Sequence, residues 1–125
     1  SIEDLIAEED MAVTISHDGY IKRNAVSEYR AQRRGGRGKI GAATKEQDFV
    51  EHLFIASTHA YILFFTTSGK VFWIKVHELP QAGRAARGKA VVNLLNLGSD
   101  EKISAFLPVR EFQPGQYVIF ATKNG

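Results

Sequence analysis

The hydrophobic residues of the chain fall in short runs that are rich in β-branched and aromatic side chains. Two pairs of these runs flank a dipeptide that ends in glycine, Asp18-Gly19 in the first pair and Ser68-Gly69 in the second. Glycine supplies the positive φ that a tight turn needs, so each pair predicts an antiparallel hairpin. The predicted strands of the two hairpins cover residues 11–16, 20–24, 61–67 and 71–76.

Three further runs have the composition of strands, at residues 52–57, 90–95 and 102–109. A short helical turn is predicted at residues 76–80, where Pro80 would end it because proline cannot continue a helix. Helix is otherwise scarce. Between each hairpin and the next strand, the chain is rich in glycine and basic residues, which predicts a loop.

The whole pattern recurs after an offset of 50 residues, without a gap. At this offset Gly19 aligns with Gly69, and the tripeptide Arg-Gly-Lys at 37–39 aligns with the same tripeptide at 87–89. A third copy begins at 117–125, so the chain ends within a repeat, as expected for a piece of a longer repeat protein. The predicted repeats lie at about 8–57 and 58–112, with the start of a third at 113–125.

About four strands per 50 residues is typical of the blades of a β-propeller. The predicted fold class is therefore all-β, with propeller-like blades built from antiparallel hairpins. Two blades and a part cannot close a ring, so the chain would contain only one portion of the disc. A small β-sandwich or an open barrel is the alternative, and the regular offset favours the propeller.

Composition excludes several classes of protein. The 125 residues contain no cysteine, which excludes disulfides and thiolate metal sites and is compatible with a reducing cytoplasm. No apolar run approaches the roughly 20 residues that span a bilayer, and the acidic N-terminal segment lacks the pattern of a signal peptide. The histidines lack metal-binding spacing and no serine has a nucleophile context, so neither a metal site nor a catalytic site is expected. His17 is expected in a turn, and His52, His59 and His77 are expected at the surface.

Charge is distributed unevenly, although the net charge is only +2. Residues 1–10 contain five acidic side chains and no basic one, a local charge of −5. Residues 21–40 contain seven basic side chains and one acidic one, a local charge of +6. Such a separation of charge steers a charged partner toward one part of a molecule.

The most basic stretch, AQRRGGRGKIG at 31–41, alternates arginine with glycine. An ordinary solvated loop is the alternative interpretation, but a soluble surface normally mixes both signs of charge. Arginine forks pair with phosphate oxygens, and glycine lets backbone amides approach a phosphate closely. The stretch is therefore predicted to be a loop that binds the backbone of a polyanion with little sequence preference, since base readout requires side chains placed in a groove by a rigid element.

The stretch GRAARGKA at 83–90 matches the phosphate-binding pattern G-x-x-x-x-G-K up to its last position. Ala90 stands where serine or threonine would bind magnesium, and the residues that follow are strand-like where the motif needs a helix. A nucleotide-binding loop is thus rejected, and the stretch is interpreted as a weaker copy of the first basic loop. Trp73 is expected in the core or in the packing between blades, because aromatic residues dominate β cores. Base stacking on Trp73 is the alternative, but one aromatic does not form a stacking platform.

The heptapeptide QRRGGRG at 32–38 resembles the gyrase A box of the C-terminal domains of DNA gyrase A subunits. The segments DLIAEEDMAVTISHDGYIKR, LPQAGRAARGKAVVNLL and ISAFLPVREF are similar to that family as well. The resemblance implies a six-bladed β-pinwheel, with roughly its first two blades in this chain, that wraps double-stranded DNA around a basic rim. The residues predicted to bind DNA are Gln32, Arg33, Arg34, Gly35, Gly36, Arg37, Gly38, Lys39, Arg84, Arg87 and Lys89.

The resemblance also implies the setting of such a domain. It implies a bacterial cytoplasmic, nucleoid-associated complex of two A and two B subunits that introduces negative supercoils, with ATP and magnesium used elsewhere in the complex. The cleaving tyrosine would lie in another part of the A subunit, so no cofactor and no catalytic residue are expected here. The alternatives are a topoisomerase IV A subunit, whose box is degenerate or missing, and a propeller-type scaffold that binds an acidic protein.

Overall fold

The computed structural model describes residues 2–35, 48–83 and 85–110, and for Arg33–Gly35 it describes the backbone only. Within these ranges the chain forms two antiparallel sheets, two short α-helices and two 3-10 turns. The strands are β1 (Asp10–Ser16), β2 (Tyr20–Ala25), β3 (Val50–Ser57), β4 (Tyr61–Thr66), β5 (Val71–Lys75), β6 (Lys89–Ala90) and β7 (Ile103–Val109). The α-helices are α1 (Val26–Gly35) and α2 (Val91–Leu94), and the 3-10 turns lie at Ile2–Leu5 and Val76–Glu78.

The first sheet has the order β3-β1-β2-β6. Its central strand β1 pairs with β2 through a hairpin and with β3 on the other side, and residues 11–15 are all buried. The strand β6 lies about 65 residues further along the chain than β2, and it pairs with β2 at Tyr20 and Ile21. The loop of the second repeat is thereby attached to the sheet of the first.

The second sheet has the order β5-β4-β7 and the same design. Its hairpin strands β4 and β5 pair at Tyr61 to Phe65, and β7 pairs with the other side of β4. The register of β1 against β3 shifts between Ile15 and Ser16, and the register of β4 against β7 shifts between Phe65 and Thr66. The two irregularities are 50 residues apart, the offset at which the sequence repeats.

The hydrophobic core lies between the two sheets and continues under the second basic loop. Phe64 is fully buried and meets Phe106 of β7 edge to face, with ring centroids 5.6 Å apart. Aromatic pairs in this geometry add to the burial of apolar area that stabilises a β core. The buried cluster consists of Met11, Val13, Ile15, Ile21, Ala56, Ala60, Ile62, Phe64, Val76, Leu79 and Val91.

Arg23 joins the two repeats and is not part of a free basic surface. Its Nε donates to the Leu79 carbonyl at 2.9 Å and its Nη2 to the His77 carbonyl at 3.2 Å. Its backbone N–H donates to the Pro80 carbonyl at 2.9 Å. The guanidinium group of Arg23 therefore donates hydrogen bonds to backbone carbonyl groups of the second repeat.

The acidic N-terminal segment is attached to the second repeat by polar contacts. Lys75 Nζ lies 3.0 Å from a Glu3 carboxylate oxygen, and His77 Nε2 lies 3.2 Å from the same oxygen. The hydrogen bond from Lys75, followed by that from His77, holds the pKa of the Glu3 carboxyl below its usual value. His59 Nε2 donates to the Ile6 carbonyl at 2.8 Å. The expectation that His59 and His77 lie at the surface is therefore wrong, since both are half-buried in this contact.

The structure confirms the predicted hairpins, the strands at 52–57 and 102–109 and the short turn that precedes Pro80. The prediction of a strand over 90–95 is wrong, because Lys89–Ala90 alone is strand and Val91–Leu94 is helical. The buried Val91 side chain and the bond from the Leu95 N–H to the Val91 carbonyl stabilise the helical turn despite its β-branched residues. The residues after Ala90 are helical, as the nucleotide-binding motif requires, so their strand-like sequence is no longer a reason to reject that motif. Ala90 still lacks the hydroxyl that the motif requires.

Two further predictions are corrected. Trp73 is 61% exposed on the edge strand β5, beside the exposed Val71, so within the described part of the chain it lies outside the core. The Gln32–Gly35 portion of the basic stretch was predicted as loop and is the end of α1. Residues 28–34 contain good helix formers and neither glycine nor proline, so their propensity favours a helix until Gly35.

Candidate nucleic-acid interface

The helix α1 contains the first four residues of the box-like heptapeptide. Gln32 is half-buried, and its Nε2 donates to Glu28 Oε1 one turn earlier at 3.2 Å, a pair at the i, i+4 spacing that stabilises a helix. The backbone of Arg33, Arg34 and Gly35 continues the helix. The predicted contacts Gly36, Arg37, Gly38 and Lys39 lie outside the described residues, as does Arg84.

The described residues of the second basic loop, 83 and 85–89, lie against β2 of the first repeat. The Val91 N–H donates to the Gly19 carbonyl at 2.9 Å, and Lys89 pairs with Ile21 in the ladder. Gly88 has a φ of +91°, and a Cβ at this position would collide with the Ile21 carbonyl oxygen. The close approach of the loop to the strand therefore requires glycine at 88.

Lys22 fixes the other end of this loop. Its Nζ donates to the Gly83 and Ala86 carbonyl oxygens, both at 2.9 Å. Burial lowers the pKa of the Lys22 ammonium group from its usual value. Lys22 contributes to the local charge of +6 over residues 21–40, but its Nζ group donates to the backbone of the second loop.

Arg87 projects from the second loop toward the turn of the first hairpin. Its Nη2 lies 3.1 Å from Asp18 Oδ2 and 3.3 Å from Asp48 Oδ2. Its Cζ lies 3.9 Å from the centroid of the Tyr20 ring, a cation–π geometry. The Arg87 side chain nevertheless remains 52% exposed. Lys89, the other predicted contact in this loop, is exposed on β6.

Asp48 lies just before β3 and accepts a hydrogen bond from the turn of the first hairpin. Burial opposes ionisation of this carboxyl, but four hydrogen-bond donors outweigh that effect and place the pKa of Asp48 below its usual value. The donors are the Ser16 hydroxyl, the Asp18 N–H at 2.9 Å, the Phe49 N–H at 3.0 Å and the Arg87 guanidinium.

His17 lies next to this carboxylate pair and carries a separate ion pair. Its Nδ1 lies 3.0 Å from Glu51 Oε1, and its ring stacks on Phe49 with centroids 4.9 Å apart. The hydrogen bond and the charge of Glu51 raise the pKa of His17 above its usual value. The turn of the first hairpin therefore gains positive charge at mildly acidic pH.

The E51Q variant should lower the pKa of His17 toward its usual value in an NMR titration of the ring protons. Because the pKa of His17 is higher in the folded state, protonated His17 stabilises the fold. This contribution to the free energy of unfolding is complete at pH values below the unfolded-state pKa of about 6.5, and it is lost as the pH rises through the folded-state pKa. That part of the pH dependence of stability should disappear in E51Q. Glu101, which aligns with Glu51 in the second repeat and accepts a bond from Ser68, provides the control: E101Q should leave His17 unchanged. An unchanged His17 pKa in E51Q would contradict this assignment.

The structure thus brings three separate segments around one cleft of about 540 Å³. They are the turn of the first hairpin, the residues from Asp48 onward and the second basic loop. Asp18, Tyr20 and Asp48 were not identified from the sequence as parts of the site. No spacing or motif marks them, since Asp18 aligns with Ser68 and Asp48 with Gly98 at the repeat offset.

Two kinds of site are absent from the described part of the chain. Within residues 2–35, 48–83 and 85–110, no three His, Cys, Asp or Glu side chains are grouped as metal ligands. Within the same ranges, no helix has the length and the apolar composition needed to cross a membrane.

Comparison with solved structures places the fold. The chain superimposes on a C-terminal domain of DNA topoisomerase IV with a TM-score of 0.68 and 30% identity, covering 86% of this chain and 32% of that one. The E. coli ParC C-terminal domain gives a TM-score of 0.57 at 16% identity, over 80% of this chain and 37% of that one. Both are similar in fold, which supports the propeller class over the sandwich and the open barrel.

Comparison of sequences distinguishes the families. The DNA gyrase A subunits of Aeromonas salmonicida and Escherichia coli K12 are each 54% identical over 125 residues, which is 100% of this chain and 14% of each relative. The subunit of Neisseria gonorrhoeae is 54% identical over 123 residues, 98% of this chain and 13% of the relative. The chain therefore spans about one seventh of the length of these relatives, and this similarity favours the gyrase interpretation over topoisomerase IV. A family model described as the DNA gyrase C-terminal domain, beta-propeller, matches residues 10–57 and 60–110, so the chain belongs to that family.

Proposed function

We propose that this chain binds double-stranded DNA along its phosphate backbone and bends it, as part of the DNA-wrapping domain of a gyrase A subunit. The single observation that carries the proposal is the complete heptapeptide QRRGGRG in a chain that belongs to the gyrase C-terminal family. Wrapping would present a DNA segment for strand passage so that negative supercoils are introduced.

The physical chemistry of the basic segments supports this function. Smooth bending of a 20–30 bp site by 40–90° costs of order 1–6 kcal/mol, and phosphate contacts must offset that cost. Arginines can make such contacts without reading bases, as they do in the histone core. The proposed contacts are the predicted residues of the box region, Gln32–Lys39, and Arg84, Arg87 and Lys89 of the second loop.

The partners of the chain follow from the same family. We propose that it works in a complex of two A and two B subunits in the bacterial cytoplasm, associated with the nucleoid. ATP hydrolysis and magnesium binding would belong to other parts of that complex, and DNA cleavage to another part of the A subunit. The similarity to bacterial gyrase A subunits over the full chain supports this setting.

The affinity of the chain for random-sequence duplex DNA should depend strongly on salt and weakly on sequence. If about four phosphates are neutralised, log K should fall with log salt at a slope near −3.6, from about −0.9 per contact. Fluorescence anisotropy titrations at several salt concentrations measure this slope, and duplexes of unrelated sequence serve as the control. A flat salt response, or a strong preference for one short sequence, would contradict phosphate-backbone binding and favour a protein partner.

A further inference from the structure

The Arg87 guanidinium is oriented before any ligand binds. The Tyr20 ring lies under it at 3.9 Å, and the carboxylates of Asp18 and Asp48 contact its Nη2 at 3.1 and 3.3 Å. With half of its side chain exposed, the group can still be reached from solution. A guanidinium fork fits the oxygens of a carboxylate and of a phosphate equally well.

The two carboxylates retain Arg87 only weakly. Asp18 is 55% exposed, and exposed ion pairs change an equilibrium constant by at most about fivefold. Asp48 is only 11% exposed, but it also accepts hydrogen bonds from the Ser16 hydroxyl and from two backbone N–H groups. Water can therefore replace Arg87 at Asp18, and Asp48 remains hydrogen-bonded when Arg87 leaves.

We propose that Asp18 and Asp48 form a built-in competitor for Arg87, which a DNA phosphate must displace before this arginine contributes to binding. The inference rests on the proposed function, since it assumes that phosphates reach the second basic loop. The competitor limits the affinity of this one contact, so that the second loop can release a DNA segment as well as bind it.

The competitor also changes the response to salt. An arginine that binds a phosphate releases cations condensed on the DNA, and this release is the source of the usual salt slope. When Arg87 moves onto a phosphate, Asp18 and Asp48 lose their fixed cation and take up salt cations in its place, so fewer ions are released in total than by an unpaired arginine. We expect Arg87 to contribute less than the usual slope of about 0.9 per contact until the competitor is removed.

The test is a double-mutant cycle on the full chain, in which D18N, R87A and the double variant bind a random-sequence duplex. D18N should tighten binding by about three- to fivefold and steepen the salt slope, by up to about 0.9. R87A should weaken binding, and adding D18N to R87A should change the affinity by less than about 1.5-fold, because no arginine remains to be released. Asparagine before glycine suits a hairpin turn, so D18N should fold normally.

Removal of any acidic charge near DNA strengthens binding by simple repulsion, and E51Q controls for that effect. Glu51 lies on the adjoining strand β3, carries the same charge and pairs with His17. At a pH above the titration of His17, where the ring is neutral with or without Glu51, its removal should tighten binding equally in the presence and absence of Arg87. A D18N gain that persists in the R87A background, or a D18N variant that binds no more tightly than wild type, overturns the competitor. If neither the wild-type chain nor D18N binds DNA, the proposed function fails and the competitor fails with it, whereas normal binding without the D18N gain overturns the competitor alone.

Discussion

Replacement of Arg33, Arg34 and Arg37 together with alanine in a complete gyrase A subunit should abolish negative supercoiling and leave relaxation and decatenation active. Supercoiling requires a wrapped segment, whereas the other two reactions require only cleavage and passage. The fold should survive, because alanine has the highest helix propensity and Arg33 and Arg34 lie on the helix α1. The measurement is a comparison of the three activities on the enzyme reconstituted with its B subunit.

The second basic loop supplies the matched comparison. Its basic residues are spread more widely along the chain than Arg33, Arg34 and Arg37 of the box. In addition, Arg87 is already neutralised by two carboxylates. The double alanine variant at Arg84 and Arg87 should therefore weaken DNA binding mildly and lower supercoiling without abolishing it. Normal supercoiling by the triple variant of the box, or an equal loss of all three activities, would show that the box does not hold the wrapped DNA segment.

The strands could be predicted from the sequence because their signals are local. The two hairpins follow from Gly19 and Gly69, whose φ values of +87° and +89° are those that the turn requires. The helix α1 differs from the predicted loop because the glycines and arginines of residues 31–41 indicate a loop, whereas the run of good helix formers that ends at Gly35 favours a helix. The residues that follow Ala90 were also misassigned, because the buried contact of Val91 outweighed its β-branched preference for strand.

The candidate site was predictable only in part, because charge counting ignores what a cation contacts. Lys22 and Arg23 contributed to the local charge of +6, yet their donors bind carbonyl groups 54 to 64 residues away. Arg87 meets Asp48 and Asp18 across 39 and 69 residues. Contacts at such separations accompany the pairing of β2 with β6, the pairing of β1 with β3 and the bridge between Arg23 and Gln81, and no motif in a single sequence encodes these pairings.

Substitution of Gly88 by alanine should destabilise the chain by about 3 kcal/mol or more, one of the largest effects available to a single methyl group here. The position has a φ of +91°, which costs a residue with a side chain of order 1–3 kcal/mol. The added Cβ would also collide with the Ile21 carbonyl and lie 2.8 Å from the Lys22 Cβ. Neither a backbone carbonyl nor a Cβ can rotate away, so the second loop must separate from β2.

Loss of that contact should have two measurable consequences. The melting temperature should fall by more than about 10 °C, given a shift of several degrees per kcal/mol for a domain of this size. DNA binding should weaken as well, because Arg87 and Lys89 lose their place beside the first hairpin. Two other glycines distinguish the effect of positive φ from the effect of the steric collision. Gly69 has a φ of +89°, but nothing lies within 4 Å of a Cβ placed there. At Gly83 the space around a Cβ is open as well. G69A should cost about 1 kcal/mol and G83A less than about 0.5 kcal/mol, so a G88A variant as stable as G69A would show that the loop does not depend on close contact with Ile21.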